Sequence, residues 1–482
     1  MTPSKQPEYP LELSTAAMRE LVELSLAHLD TFLSSLPEQA AWNNADAEQA
    51  ARSVMEPMPE QGQAVQTILR RFFDEVVPVA LNTTSPGYLA YVPGGGLPQA
   101  AVADLIAGIT NRFVTVWSAA PAIAQIETTV IRWFCEMIGY STGSGGFLTS
   151  GGSLANLSAI VTARRRRADH DFQTATIYTS DQTHHSICKA AVLAGFPAEN
   201  IRQIEVDQRW RVRVDCLARQ VARDRAAGFH PLIVVAQAGT TNTGAVDNLS
   251  ALADLATAEE LWLHADAAYG GFFMLTQRGQ RALEGLARAD SVTLDPHKGL
   301  FLPYGTGCLL VRNLDDLKKA HDMDGAYMPS LSDDPDFLDF SQLSPELSRD
   351  FRGLRVWLPL QLHGAGAFRQ ALDEKLDLAQ FAARQLQAID EKLHDTLEIM
   401  AEPQLSIVTF RICRAGLDQD ATNALNKRLL AEINAPRRVY LTSTELNGNF
   451  AIRICVLSFR THLDRMRECV ELIGRAAEQI LS

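Results

Sequence analysis

The sequence predicts an α/β protein with a mostly parallel central sheet covered by helices, a helical N-terminal arm and a small C-terminal α+β domain. Two patterns lead to this prediction. From about residue 145, apolar runs of strand length alternate with helical segments, which is typical of a parallel sheet buried on both faces. A second, smaller set of strand and helix patterns follows near the end of the chain. Because 482 residues exceed one hydrophobic core, we predict three domains, at 1–80, 81–375 and 376–482.

The N-terminal arm is predicted from helical spacing. Apolar residues recur there at steps of three and four positions, at Met18, Val22, Leu26, Leu29 and Leu33. A second helix is predicted over 63–77, ending before Pro78. No strand pattern lies near these helices, so the arm needs another surface to pack on, either the body of the chain or a second subunit.

The central sheet is predicted from six apolar runs separated by helical segments such as 154–167 and 249–259. The predicted strands are 146–149, 176–180, 232–238, 261–266, 291–295 and 307–311. On such sheets, ligands bind beyond the carboxyl ends of the strands. We therefore expect the functional residues to follow the predicted strands.

The last part of the chain differs from the central part. The acidic segment 329–348 lacks regular periodicity, so we predict a long loop that is either a lid or disordered. A helical stretch over about 351–397 follows. Strands are then predicted at 404–412, 439–446 and 450–458, with helices at about 418–433 and 462–481. Asn447-Gly448 joins the last two strands and is a strong hairpin signal.

Composition excludes several classes of function. The formal net charge of −13 argues against a general nucleic-acid-binding protein, because phosphates require a basic surface. No apolar run is long enough for a transmembrane helix, and the N-terminus lacks the pattern of a secretory signal. The seven cysteines are scattered and form no CxxC pair. They predict reduced thiols in a cytoplasmic protein, and we expect no metal site.

Two candidate binding features follow the first two predicted strands. Gly151, Gly152 and Ser153 lie in a turn before a helix, where glycines allow close approach and free N–H groups suit a phosphate. The turn matches neither of the common nucleotide-binding motifs, and a simple tight turn stays open as an alternative. After the second strand, His184 is placed to stack on a flat ligand or to cap the next helix.

Two further features follow later strands. Asp266 ends an apolar strand, where a carboxylate either caps a turn or holds a cationic ligand atom, and the small Ala268 leaves room for a planar ring. Asp295, Pro296, His297 and Lys298 follow the next strand. A lysine so close to a buried strand is costly unless it is used. Partial desolvation is expected to lower the pKa of Lys298 and to make it a Schiff-base amine.

The four features together fit pyridoxal phosphate. The turn would hold the phosphate, His184 would stack on the ring, and Lys298 would bind the aldehyde. Asp266 would keep the pyridine nitrogen protonated, because a nearby negative charge favours the cation. The protonated ring then acts as an electron sink.

With these residues in place, the sequence resembles the group II pyridoxal-phosphate-dependent amino acid decarboxylases, and among them the aromatic-L-amino-acid decarboxylases. The resemblance is carried by HADAAYGG, DPHK, SDQTH and IRICVLSFRTH and covers about residues 9–480. It implies a fold-type I enzyme that uses pyridoxal 5'-phosphate to convert an L-amino acid to its amine and CO2. The family is a dimer with active sites at the interface, so the resemblance also implies a homodimer that the arm wraps.

The resemblance assigns roles residue by residue. Lys298 matches the lysine that binds the cofactor, Asp266 the partner of the pyridine nitrogen, and Ala268 and His184 the two ring faces. Gly151, Gly152 and Ser153 match the phosphate turn. Thr241, Asp295 and His297 belong to the cofactor surroundings. Tyr327 falls where the family has a loop tyrosine that returns a proton to the substrate carbon.

Three functions remain open from the sequence. The first is decarboxylation of an aromatic amino acid, or else of an acidic or other one such as glutamate or diaminobutyrate. For an aromatic side chain, Tyr91, Phe113 and Trp117 are candidates for an apolar wall. The second is an oxygen-dependent reaction that gives an aldehyde, which Tyr327 disfavours because aldehyde-forming relatives often have Phe there. The third is a pyridoxal-phosphate protein that does not decarboxylate, such as a transaminase, a sulfur lyase or a binding protein.

Overall fold

A computed structural model describes residues 9, 11–166, 171, 173–321, 334, 336–394 and 396–482. Its helices are α1 Thr15–Ser35, α2 Ala47–Ser53, α3 Val65–Arg71, α4 Pro98–Thr110, α5 Pro121–Ile138, α6 Gly152–Arg166, α7 His185–Leu193, α8 Val214–Ala226, α9 Leu249–Ala258, α10 Gln277–Ala282, α11 Pro296–Gly299, α12 Leu314–His321, α13 Arg352–Lys392, α14 Gln419–Asn434 and α15 Leu463–Leu481. Its strands are β1 Gly145–Thr149, β2 Ala175–Ser180, β3 Ile201–Ile204, β4 His230–Gln237, β5 Trp262–Asp266, β6 Ser291–Leu294, β7 Gly307–Val311, β8 Leu397–Ala401, β9 Ile407–Ile412, β10 Thr442–Leu446 and β11 Asn449–Cys455.

The central sheet confirms the predicted α/β class. Its strand order is β1-β7-β6-β5-β4-β2-β3. Successive residues of β4 point to opposite faces. Ile233 and Val235 pack in a cluster with Ile160 of α6, whereas Val234 packs in a second cluster with Leu217 of α8. Both faces of the sheet are therefore covered, which explains why the inner strands are buried at nearly every position.

Two features of this sheet differ from the sequence prediction. Strand β7 runs antiparallel to both of its neighbours, β1 and β6. The connection from β6 holds only the one-turn helix α11, and a parallel return requires a longer crossover. The edge strand β3 was not predicted, because its first three residues are not buried and it lacks an apolar run.

A second sheet lies in the C-terminal part of the chain, with the antiparallel order β10-β11-β9-β8. The predicted hairpin is confirmed, since Asn447 and Gly448 adopt positive φ values of 50° and 76°. Strand β8 lies just beyond the end of α13 and was not predicted. Helix α13 also crosses position 375, with a break at Gly364 (φ 68°). The domain boundary at 375–376 stays a prediction.

The N-terminal helices lie largely on the surface. Ser14 caps α1, because its Oγ accepts a hydrogen bond from the N–H of Ala17 at 3.1 Å. No residue of α1 is buried, and Leu26, Leu29 and Leu33 are exposed. The predicted second helix is present as α3, followed by one wider turn over 72–76. Within the described ranges, none of the helices combines the length and apolar character needed to cross a membrane.

Candidate active site

The candidate site lies at one edge of the central sheet. Strands β1, β2, β4, β5 and β6 run in the same direction, so their carboxyl ends meet there. A cavity of about 300 Å³ opens at this edge. Ten residues predicted from the sequence line it: Gly151, Gly152, Ser153, His184, Thr241, Asp266, Ala268, Asp295, His297 and Lys298. Tyr327 lies outside the described residues.

Lys298 and Asp295 form an ion pair in this cavity. The Nζ atom of Lys298 lies 2.9 Å from Oδ2 of Asp295, across the one-turn helix α11. The other oxygen, Oδ1 of Asp295, is buried and has no hydrogen-bond partner among the described residues. Burial disfavours the charged lysine, but attraction by Asp295 and Asp266 leaves the pKa of Lys298 raised above its usual range. The sequence prediction of a lowered pKa is therefore wrong for this structure.

The turn between β1 and α6 packs tightly against Asp295. A side-chain carbon placed on Gly152 would lie 2.9 Å from Oδ2 of Asp295 and 3.4 Å from Cβ of Ala268. Only glycine fits this position without a shift of its neighbours. Helix α6 begins at Gly152, so its first N–H groups have no partner within the helix. Such N–H groups at a helix start suit an anionic ligand.

Asp266 lies at the end of β5 and is buried. Its Oδ1 accepts a hydrogen bond from the N–H of Ala268 at 3.2 Å, and its Oδ2 accepts one from Nδ2 of Asn156 at 3.1 Å. These donors fix the carboxylate at the wall of the cavity. Sequence analysis did not identify Asn156, although an amide on a helix that otherwise presents small and apolar residues to the sheet is a signal that could have found it.

His184 caps the start of α7. Its Nδ1 lies 2.7 Å from Oγ of Ser186 and 3.3 Å from the backbone nitrogen of Ser186. Both predicted roles can therefore coexist, because one edge of the ring caps the helix while the residue lines the cavity. Burial lowers the pKa of His184, which favours the neutral ring.

His297 lies on α11 and borders the turn between β1 and α6. Its Nδ1 donates a hydrogen bond to the carbonyl of Thr306 at 2.6 Å. A side-chain carbon on Gly151 would lie 3.8 Å from Cε1 of His297, so the ring borders the turn. Burial lowers the pKa of His297, and Asp295 opposes this effect.

Arg453 ties the second sheet to the cavity and was not predicted. The side chain is buried on β11 and donates to the carbonyls of Asn242 and Tyr91 at 3.1 Å each, as well as to the carbonyl of Thr241. It also donates to Oγ1 of Thr442 at 3.1 Å. The loop that carries Thr241 is thus held by a residue more than 200 positions away.

The predicted aromatic wall is not assembled at this cavity. Tyr91, Phe113 and Trp117 do not appear among the described residues that line it. Tyr91 and Phe113 are 54% and 42% exposed, so neither serves as core packing. Trp117 instead stacks on Phe337, with ring centroids 4.3 Å apart. The described residues of one chain therefore do not form the wall at this cavity, and the wall stays a prediction.

The donor set fits pyridoxal phosphate. A helix start that a phosphate could approach, a carboxylate at the cavity wall and a lysine amine occur together in one cavity. The buried Oδ1 of Asp295, which has no partner among the described residues, marks where the cavity would accept a hydrogen-bond donor. Among the described residues, no three His, Cys, Asp or Glu side chains are grouped so that they could hold a metal ion.

Comparison with known proteins gives consistent results. Residues 48–413 match the pyridoxal-dependent decarboxylase conserved domain. The chain is 38% identical over 476 residues to an aromatic-L-amino-acid decarboxylase of Bacillus atrophaeus, covering 98% of this chain and 97% of that one. It is 29% identical to a phenylacetaldehyde synthase of Petunia hybrida, covering 86% and 85%. The crystal structure of Oryza sativa TDC with PLP and tryptamine is similar with a TM-score of 0.92, 25% identity and coverage of 98% and 99%.

Proposed function

The chain belongs to the pyridoxal-dependent decarboxylase family, and we propose that it converts an aromatic L-amino acid to the corresponding amine and CO2. The protein is a pyridoxal-phosphate-dependent amino acid decarboxylase. The observation that supports this reaction is the joint placement of Lys298, Asp295 and Asp266 around one cavity. The aromatic preference follows the name of the relative from Bacillus atrophaeus.

Four parts of the cavity would hold the cofactor. Lys298 would provide the amine for the aldehyde, and Asp266 would pair with a protonated pyridine nitrogen. The turn at 151–153, with His297 beside it, would hold the phosphate through its N–H groups. Thr241, Ala268 and His184 also line the cavity and would lie around the ring. When bound, pyridoxal phosphate supplies an electron sink for the charge left on the substrate carbon after CO2 departs.

Three residues of the chain are proposed to pair with charged groups or to donate a proton. Asp266 would hold a cation at the cavity wall, because its two oxygens are fixed by Ala268 and Asn156. Asp295 pairs with the Lys298 ammonium, so the amine would have to give up a proton before it could condense with an aldehyde. Tyr327 is the leading candidate for the donor that returns a proton to the substrate carbon. Within the predicted loop 329–348, Leu338, Phe340 and Leu343 are buried in a core cluster, so the described part of the loop is packed rather than disordered.

The test is CO2 release from the purified chain with pyridoxal phosphate across a panel of L-amino acids. The panel comprises Trp, Phe, Tyr, dihydroxyphenylalanine, His, Glu, Asp and diaminobutyrate. We expect release from the aromatic members, with the matching amine in the product. Release only from Glu, Asp or diaminobutyrate would contradict the aromatic assignment. Silence from the whole panel, with the cofactor bound, would contradict decarboxylation of these substrates.

Aldehyde formation is the second candidate. It is favoured by the similarity to the phenylacetaldehyde synthase of Petunia hybrida and opposed by the tyrosine at position 327. The two reactions differ in their products, because the oxidative one also yields ammonia and peroxide. Measuring amine, aldehyde and peroxide in the same panel therefore separates them.

We also propose that the protein is a homodimer with active sites at the interface. Helix α1 exposes Leu26, Leu29 and Leu33 along its apolar side and buries none of its residues. A second copy would remove this apolar surface from water. Size-exclusion chromatography with light scattering should give twice the mass of one chain, and a monomer at micromolar concentration would contradict the proposal.

A cytoplasmic location completes the proposal. All seven cysteines are free thiols, which is typical of proteins from reducing compartments. Fractionation of the source cells should recover the decarboxylase activity with the cytoplasm, and recovery with a membrane or an exported fraction would contradict this.

A further inference from the structure

Asn156 makes four hydrogen bonds, which is the full capacity of an amide side chain. Its Nδ2 donates to Oδ2 of Asp266 at 3.1 Å and to Oγ of Ser186 at 3.0 Å. Its Oδ1 accepts from Oγ1 of Thr293 at 2.7 Å and faces Nε2 of His264 at 3.1 Å. Asn156 is 1% exposed, so no water competes for these contacts. One residue thus connects four elements of the site.

The orientation of this amide is fixed by its partners. A carboxylate oxygen only accepts hydrogen bonds, so the group facing Asp266 must be the NH2 of Asn156. The oxygen therefore faces Thr293 and His264, and Nε2 of His264 must carry a hydrogen. On the far side of His264, Nδ1 accepts from Oγ of Ser291 at 2.8 Å. Oγ of Ser291 already accepts a hydrogen bond from the indole N–H of Trp262 at 2.9 Å. The hydroxyl hydrogen of Ser291 therefore points to His264.

The same reasoning assigns the hydrogen on His184. Oγ of Ser186 accepts from Asn156, so its own hydrogen is free to donate to Nδ1 of His184. The backbone N–H of Ser186 also points at this nitrogen, and a backbone N–H can only donate. Nδ1 of His184 is therefore an acceptor. A neutral ring must then carry its hydrogen on Nε2, on the side away from Ser186.

We propose that Asn156 is a positioning residue that orients both groups flanking the cofactor site, the Asp266 carboxylate directly and the His184 imidazole through Ser186. Together with the backbone N–H of Ser186, this contact keeps the His184 hydrogen on Nε2. The contacts form one directed network that begins at Trp262 and ends at His184. The effect on catalysis rests on the proposed function, whereas the hydrogen position on His184 does not.

The test is nitrogen NMR of the full-length protein labelled with ¹⁵N-histidine, with and without pyridoxal phosphate. In the wild type, His184 should show an unprotonated Nδ1 and a protonated Nε2, with the signal assigned by its loss in His184→Gln. In Ser186→Ala and in Asn156→Leu, the signal should shift toward a mixture of tautomers. Ser186→Ala makes the smaller structural change and keeps the test informative if Asn156→Leu does not fold.

Asn426→Leu is the matched control. Asn426 is also a buried amide with hydrogen-bonded partners, but these are the backbone groups of Ile412 in the second sheet and the carbonyl of Thr422 in α14. It should lower stability without moving the His184 signal. Asn156→Leu should in addition weaken pyridoxal phosphate binding by about 10–100-fold, the loss typical when a residue that orients a ligand-binding group is removed.

Either of two results would overturn the inference. One is a wild-type His184 with its hydrogen on Nδ1. The other is an unchanged His184 signal in both Ser186→Ala and Asn156→Leu. Failure of the proposed function can be told apart, because NMR measures the tautomer of His184 whether or not the protein releases CO2.

Discussion

The ammonium group of Lys298 lies 2.9 Å from Oδ2 of Asp295, three residues earlier in the same turn. This pairing gives the lysine a counter-charge before any substrate enters, which explains how a cation is kept at the end of a buried strand. It also makes the pKa of Lys298 rise despite burial. The amine must therefore lose a proton and its ion pair when it condenses with an aldehyde.

Replacing Lys298 should abolish turnover. Lys298→Ala removes the amine, and Lys298→Arg keeps a cation beside Asp295 but cannot condense with an aldehyde. We expect both variants to release no CO2 above the level without enzyme. Borohydride reduction of the wild type followed by peptide mass spectrometry should locate the cofactor on Lys298. Normal turnover in Lys298→Arg, or a label on another lysine, would contradict the assignment.

Asp266→Asn should lower kcat by roughly 10²–10³-fold or more, because a neutral amide cannot stabilise a cation at the cavity wall. The substituted side chain has nearly the same size, so the fold should stay intact. Steady-state CO2 release together with circular dichroism measures both effects. Activity close to the wild type in a folded Asp266→Asn variant would contradict the role of Asp266 in keeping the cofactor ring protonated.

Tyr327→Phe should change the product while keeping CO2 release. Without the hydroxyl, the substrate carbon would be protonated more slowly and oxygen would compete, so aldehyde, ammonia and peroxide should rise relative to amine. The product ratio under air and under nitrogen measures this. An unchanged ratio in air would exclude Tyr327 as the proton donor.

Arg453→Lys should destabilise the protein and weaken cofactor binding. Lysine cannot reach the separate acceptors on Tyr91, Thr241, Asn242 and Thr442 that the guanidinium spans, so buried carbonyls lose partners at roughly 1–3 kcal/mol each. Thermal unfolding and pyridoxal phosphate titration check this. Arg411→Lys, on the neighbouring strand β9 with the exposed partner Glu398, is the control and should change little.

His264 should make stability depend on pH. Burial lowers the pKa of His264 to about 4 from the ordinary value of 6.5, and Asp266 opposes this shift. A histidine with a lowered pKa contributes stability above pH 6.5, and the contribution is lost as the pH falls toward 4. The full difference corresponds to about 3 kcal/mol. In His264→Gln this dependence should disappear, as urea unfolding at both pH values would measure. An equal pH dependence in the two proteins would refute the prediction.

The sequence determined the fold class and most of the site, because both depend on local patterns. Apolar runs between helical segments predicted six of the seven central strands. Four of these strands end at or a few residues before Gly152, His184, Asp266 and Lys298. The carboxyl ends of parallel strands must meet at one edge, so the position along the chain was enough to group these residues.

Tertiary structure decided what depends on partners distant in sequence. The direction of β7 and the separate positions of Tyr91, Phe113 and Trp117 could not follow from local spacing. Asn156 and Arg453 were missed for the same reason. A buried polar side chain is defined by the groups that satisfy its hydrogen bonds, and those groups come from strands and loops that only the folded chain brings together.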